Sequence, residues 1–100
     1  MITCFLKYEV EMDKLAEFEN YAKMWITLVE KFGGKHHGYF LPSEGASDIA
    51  YALFSFSSLA AYEEYRLKSF DDEECKKAME YYRETKCFRR YERSFMTPVF

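Results

Sequence analysis

One hundred residues with 14 basic and 17 acidic side chains give a formal charge of −3, which offers a phosphate backbone no electrostatic attraction and disfavours nucleic acid as a partner. Apolar residues make up 49% of the chain and aromatic ones 20%, including ten Phe and nine Tyr, enough to fill the core of a single small domain and to exclude disorder. One domain over residues 1–100 is therefore expected. No apolar run approaches the roughly 20 residues that span a bilayer, and Met1 leads straight into a patterned stretch without a signal-like head. Cys4, Cys75 and Cys87 are odd in number and unrelated in spacing, which suits reduced, buried thiols in a cytoplasmic protein rather than a disulfide framework.

Strict alternation in ITCFLKYEV predicts a first strand with Ile2, Cys4, Leu6, Tyr8 and Val10 on one side. Asp13 is placed as the N-cap of a helix carrying Leu15, Phe18, Tyr21 or Ala22, Trp25, Leu28 or Val29, and Phe32, and Gly33-Gly34 stops it. Residues Lys35 to Leu41 and Ile49 to Phe56 read as a hairpin around the breaker-rich Pro42 to Asp48. Ser57 or Ser58 caps a helix with Leu59, Tyr62 and Leu67. The capping-box spacing of Asp71 and Glu74 then starts another with Cys75, Ala78, Met79 and Tyr82. Cys87 to Phe95 closes the pattern. The resulting βαββαβ order predicts an α+β, ferredoxin-like fold: an antiparallel sheet with its helices on one face.

The hairpin is apolar on both faces, with Ile49, Tyr51 and Leu53 against Ala50, Ala52, Phe54 and Phe56, and Phe5 interrupts the polar face of the first strand. Monomers rarely expose so much apolar surface. A homodimer whose sheets face one another around an aromatic interior, a dimeric α/β barrel, is therefore expected.

Gly38-Tyr39-Phe40, the turn Glu44-Gly45, Ala52-Leu53-Phe54-Ser55-Phe56, Ser58-Leu59-Ala60 and Arg90-Tyr91-Glu92-Arg93-Ser94-Phe95 together resemble the NIPSNAP family over nearly the whole chain. The resemblance implies a dimeric α/β barrel of unassigned activity in a cytosolic bacterial protein, related in fold to cofactor-free monooxygenases. Many family members carry His-Leu-Trp where this chain has Ala52-Leu53-Phe54, so no role of that histidine transfers here.

Neighbouring residues of a strand point to opposite faces, so His36 and His37 cannot grip one metal, and no third ligand stands at chelating distance; no metal or cofactor is expected. Alternation sets His37 with Tyr39 and Leu41, and His36 with Gly38 and Phe40. We place His37 and Tyr39 toward the dimer interior and His36 under the helices, the plainer reading of either histidine being a strand residue without chemistry. The last strand splits as Phe88, Arg90, Glu92, Ser94 and Met96 against Arg89, Tyr91, Arg93 and Phe95. The plainer reading, which we adopt, pairs Arg90 with Glu92 near the sheet edge and leaves arginines at a dimer rim; the sharper one has one of Arg89, Arg90 and Arg93 anchor an anionic or carbonyl-bearing ligand, with Tyr51 or Tyr39 adding a hydrogen bond. The ligand-site set is thus His37, Tyr39, Tyr51 and Arg90, with no assigned catalytic residue. It serves a small organic molecule in the barrel; the alternatives are a cofactor-free monooxygenase in which His37 or a tyrosine assists proton removal, and a dimerisation module.

Overall fold

A computed structural model describes residues 1–100. The chain runs β1 (Ile2–Val10), α1 (Leu15–Lys31), β2 (Lys35–Phe40), β3 (Ile49–Phe56), α2 (Leu59–Ser69), α3 (Glu73–Thr85) and β4 (Phe88–Met96). The strands form one antiparallel sheet in the order β2-β3-β1-β4, the ferredoxin-like arrangement expected from the element order. Cys4, Leu6, Tyr8 and Val10 of β1 and Ala50, Ala52, Phe54 and Phe56 of β3 point to one face, where they are buried with Phe18 and Val29 of α1 and Tyr62 and Tyr65 of α2. α1 also packs on α3, through Leu28 against Cys75 and Ala78.

Local chemistry sets the helix ends. Asp13 is not a cap: Met12–Lys14 forms a 3-10 turn, α1 starts only at Leu15 and no side chain caps it. Ser58 does cap α2, its Oγ accepting from Ala61 N at 3.1 Å. Asp72, not Asp71, caps α3 by accepting from Cys75 N at 3.0 Å. Its carboxylate also takes Lys31 Nζ at 2.7 Å, tying the end of α1 to the start of α3. Tyr62, Tyr65 and Ser69 form the inward face of α2, while Leu67 is exposed, because the sheet beneath offers aromatic partners to the tyrosines. After α1, Gly34 is an obligatory close approach: a Cβ there would stand 2.7 Å from both Phe56 Cζ and Val29 Cγ1.

Two bulges decide which side chains face the helices. In the β2–β3 pairing His36 lies opposite Phe54 and Gly38 opposite Leu53, leaving His37 as the extra residue. Gly38 takes φ +106°, a conformation that suits only glycine. Strict alternation therefore fails here: Tyr39 joins His36 under the helices, opposite Ala52, and Phe40 shares the open face with its partner Tyr51. In the β1–β4 pairing Val10 lies opposite Phe88 and Glu9 opposite Arg90, with Arg89 as the extra residue. Phe88 accordingly leaves the Arg90 set and is buried beneath the helices in line with Tyr91, Arg93 and Phe95.

The face turned away from the helices carries Phe5, Ile49, Tyr51 and Leu53, all partly exposed, flanked by the exposed Phe40 and Met96. No helix is long and apolar enough to cross a membrane.

Candidate functional site

The four residues expected to form one site lie on two faces. His37, Tyr51 and Arg90 are on the open face and Tyr39 is under the helices, separated from them by the sheet. Even on the open face the three do not converge. His37 Nε2 lies 2.8 Å from Ser55 Oγ, which lies 2.8 Å from Thr3 Oγ1, a short hydrogen-bonded chain across β2, β3 and β1. The Tyr51 ring packs on Phe5 at 5.3 Å. Arg90 donates to Glu9 at 2.6 Å and Glu92 at 3.1 Å, so it forms the structural pair that Arg90-Glu92 spacing suggests and leaves no free charge for a ligand. Arg89 is likewise committed, to Asp48 at 2.8 Å and Glu11 at 3.4 Å.

A cavity of about 210 Å³ lies on the other side, between the sheet and the helices. Its floor comes from Leu6, Tyr8, His36, Tyr39 and Phe54 of the strands, and its walls from Tyr21, Trp25 and Val29 of α1 and Tyr62, Tyr65 and Arg66 of α2. Phe70 and Tyr91, each about half exposed, stand at the rim with Arg93. A cavity of about 150 Å³ holds benzene, so this one has room for a single substituted ring.

His36 supplies the polar end on the β2 side. Its ring stacks on Tyr39, centroids 5.1 Å apart and planes within 12°, and lies 5.6 Å from Phe54. Gly38 N donates to Nδ1 at 2.9 Å, a bond that Nδ1 accepts only with its lone pair free, so the proton of the neutral ring is assigned to Nε2. Burial depresses the imidazole to about 4, the adjacent His37 adds to the effect, and Glu30 opposes it. At neutral pH His36 is thus an uncharged N–H donor. Its Nε2 is buried without a hydrogen-bond partner, and so is Trp25 Nε1. Unsatisfied buried donors of this kind cost free energy and mark a place where an acceptor belongs.

The tyrosines act in the same sense. Burial raises Tyr8, Tyr21, Tyr39 and Tyr65 well above the ordinary phenol range, and the mutual proximity of the hydroxyls adds to the rise for Tyr8, Tyr21 and Tyr39. They remain protonated. Arg66 donates to the Tyr62 hydroxyl at 3.0 Å and Arg93 to the Tyr91 hydroxyl at 2.9 Å, and unlike Arg89 and Arg90 neither guanidinium meets a carboxylate. Both face the same region, since each draws the buried Cys4 thiol downward while burial pushes it up to about 11. No Asp or Glu lines the cavity.

Sequence reasoning included Arg93 and Tyr39 among its candidates but missed His36, Trp25 and Arg66 as a convergent set. The signal for His36 was the glycine two residues on, which permits the bulge. Nothing in the spacing of Trp25 or Arg66 distinguishes a cavity wall from an ordinary helix face.

The fold recurs in solved structures. A NIPSNAP family protein of unknown function from Agrobacterium tumefaciens superposes with a TM-score of 0.83 at 19% identity, covering 99% of this chain and 88% of that one. An uncharacterised NIPSNAP domain protein from Burkholderia xenovorans gives 0.81 at 13%, covering 99% and 95%. A putative antibiotic biosynthesis monooxygenase from Nitrosomonas europaea gives 0.74 at 8%, covering 100% of both chains. No curated protein matches the sequence. The NIPSNAP family model matches residues 4–100, and the chain belongs to that family.

Proposed function

We propose that this NIPSNAP protein binds a small organic molecule in the cavity between sheet and helices, one site in each protomer of a homodimer. The observation that carries the reading is the buried, unpartnered Nε2–H of a neutral His36 lining an aromatic cavity large enough for one ring. Dimerisation through the open sheet face is supported by its apolar residues, Phe5, Phe40, Ile49, Leu53 and Met96, which a second copy would cover.

Binding fits the cavity better than proton removal. A base would need a free acceptor, yet His36 Nδ1 is occupied by Gly38 N and the tyrosines are held protonated. The likeness to a putative monooxygenase concerns the fold, and the cavity supplies hydrogen-bond donors rather than a proton acceptor.

Trp25, the one tryptophan of the chain, lines the cavity and provides the assay. Titration with single-ring aromatic compounds is expected to give a saturable change in its emission together with a raised Tm. If a broad panel of such compounds changes neither, the cavity is not a binding site.

A further inference from the structure

We infer that the ligand is a flat aromatic carboxylate with a neutral hydrogen-bond acceptor at the opposite end of its ring, the carboxylate held by Arg66 and Arg93 and the acceptor by His36 Nε2–H. The inference rests on the cavity being the ligand site and adds the chemical class.

Charge is the first argument. Arg66 and Arg93 hydrogen-bond only to phenol hydroxyls and otherwise lie over the Phe70 and Tyr91 rings, so the guanidinium forks, which bind carboxylates bidentately, meet no anion in this chain. Arg89 and Arg90 each find carboxylates of this chain, whereas no acidic side chain lines the cavity to neutralise the other two. An incoming anion would complete them.

The second argument is the polarity of the β2 end. His36 presents an N–H group without a partner, and the imidazole is uncharged at neutral pH. An acceptor without charge, a ketone or similar oxygen, satisfies it. A second carboxylate there would meet no positive charge and would be left partly desolvated.

Geometry links the two ends. His36 lies opposite Phe54, Phe54 opposite Cys4 and Cys4 opposite Phe95, two residues along β4 from Arg93, so His36 and Arg93 stand diagonally across three strand spacings, about 14 Å across the sheet and about 7 Å along it between backbones. Both side chains line the cavity, and their own lengths shorten that span toward the size of one para-substituted ring. Tyr8 and Tyr39, ring centroids 5.9 Å apart, offer flat apolar surface to one face of that ring, while Phe54, Tyr62 and Tyr65 pack on one another and form the wall beside it.

Three probes of one shape separate the parts of the inference: 4-acetylbenzoate, 4-acetylbenzamide without the charge, and 4-isopropylbenzoate without the carbonyl. Affinities are measured by calorimetry and Trp25 emission on the intact chain. The acetylbenzoate is expected to bind about tenfold or more tighter than the amide, and R93Q should remove that preference while leaving amide affinity within about twofold. R66Q, on a different element, serves as the second variant with the same expectation. Equal binding of acid and amide by the wild type, or a preference unchanged in both variants, would overturn the anionic assignment. Equal binding of the acetyl and isopropyl acids would overturn the acceptor assignment. If none of the three binds while other single-ring compounds shift Trp25 emission and Tm, the ligand class is overturned and the cavity reading stands; if the broad panel is silent as well, both fall.

Discussion

Acid titration probes the protonation state on which the cavity's donor character depends. In the folded chain His36 is held at about 4, mainly by burial, whereas an unfolded histidine takes up its proton near 6.5. Between those values the unfolded chain binds the additional proton. The contribution is therefore complete above about pH 6.5 and is lost as the pH falls toward 4. The whole displacement corresponds to about 3 kcal/mol at 1.36 kcal/mol per unit, and the solvent that reaches the partly exposed ring reduces this to about 1–2 kcal/mol. H36Q keeps an N–H donor and abolishes the titration. In urea unfolding followed by Trp25 emission, the wild type should lose about 1–2 kcal/mol more than H36Q between neutral pH and about pH 4.5. Parallel pH profiles for the two proteins would refute a depressed His36. A wild type that gains stability relative to H36Q on acidification would mean that Glu30, whose Oε2 already accepts the His36 backbone N–H at 3.2 Å, pairs with an imidazolium instead.

G34A inserts a Cβ 2.7 Å from Phe56 Cζ and Val29 Cγ1, side chains only 4% and 1% exposed. Overpacking of about 1–3 kcal/mol follows, seen as a Tm loss of about 4–8 °C per kcal/mol in a domain of this size; an unchanged Tm would show that the α1–β2 junction yields freely. L53R puts a charge between Phe5 and Gly38 on the open face and should convert a dimer to a folded monomer in sedimentation, whereas a wild type that sediments as a monomer contradicts the dimer. Lys86 closes α3 at φ 48°, and K86G should raise stability by about 0.5–1 kcal/mol in chemical unfolding, the relief of the left-handed conformation exceeding the added freedom of the unfolded chain. A loss of stability would mean that the lysine side chain contributes more than its backbone costs.

The fold was legible because its signals are local and repeated. Alternation along β1 and β3 and the three-to-four spacing of Phe18, Ala22, Trp25 and Val29 each point to a single period, and the element order then leaves one familiar sheet topology. Caps were legible only to within a residue: Asp71 and Asp72 are equivalent in composition, and the choice falls to Asp72 through its contact with Lys31, 41 positions away. The site was less legible because it depends on phase. A bulge shifts the parity of every residue beyond it, so Tyr39 and Phe88 could not be assigned to a face by counting. The partners of the arginines were hidden for another reason. Arg89 and Arg93 are identical in a list of residues, and only the β1–β4 register gives Asp48 and Glu11 to one and the cavity rim to the other.

The extra residue in β2 also acts as a selector between two proton arrangements. A strand one residue shorter, without His37, would keep His36 opposite Phe54 and Tyr39 opposite Ala52, so the same rings would line the cavity. The Gly38 N–H that now occupies Nδ1 would return to the ladder, and the imidazole would be free to turn its lone pair inward. A change of one residue in length, with no change in the cavity's lining, would thus exchange a hydrogen-bond donor for a potential base.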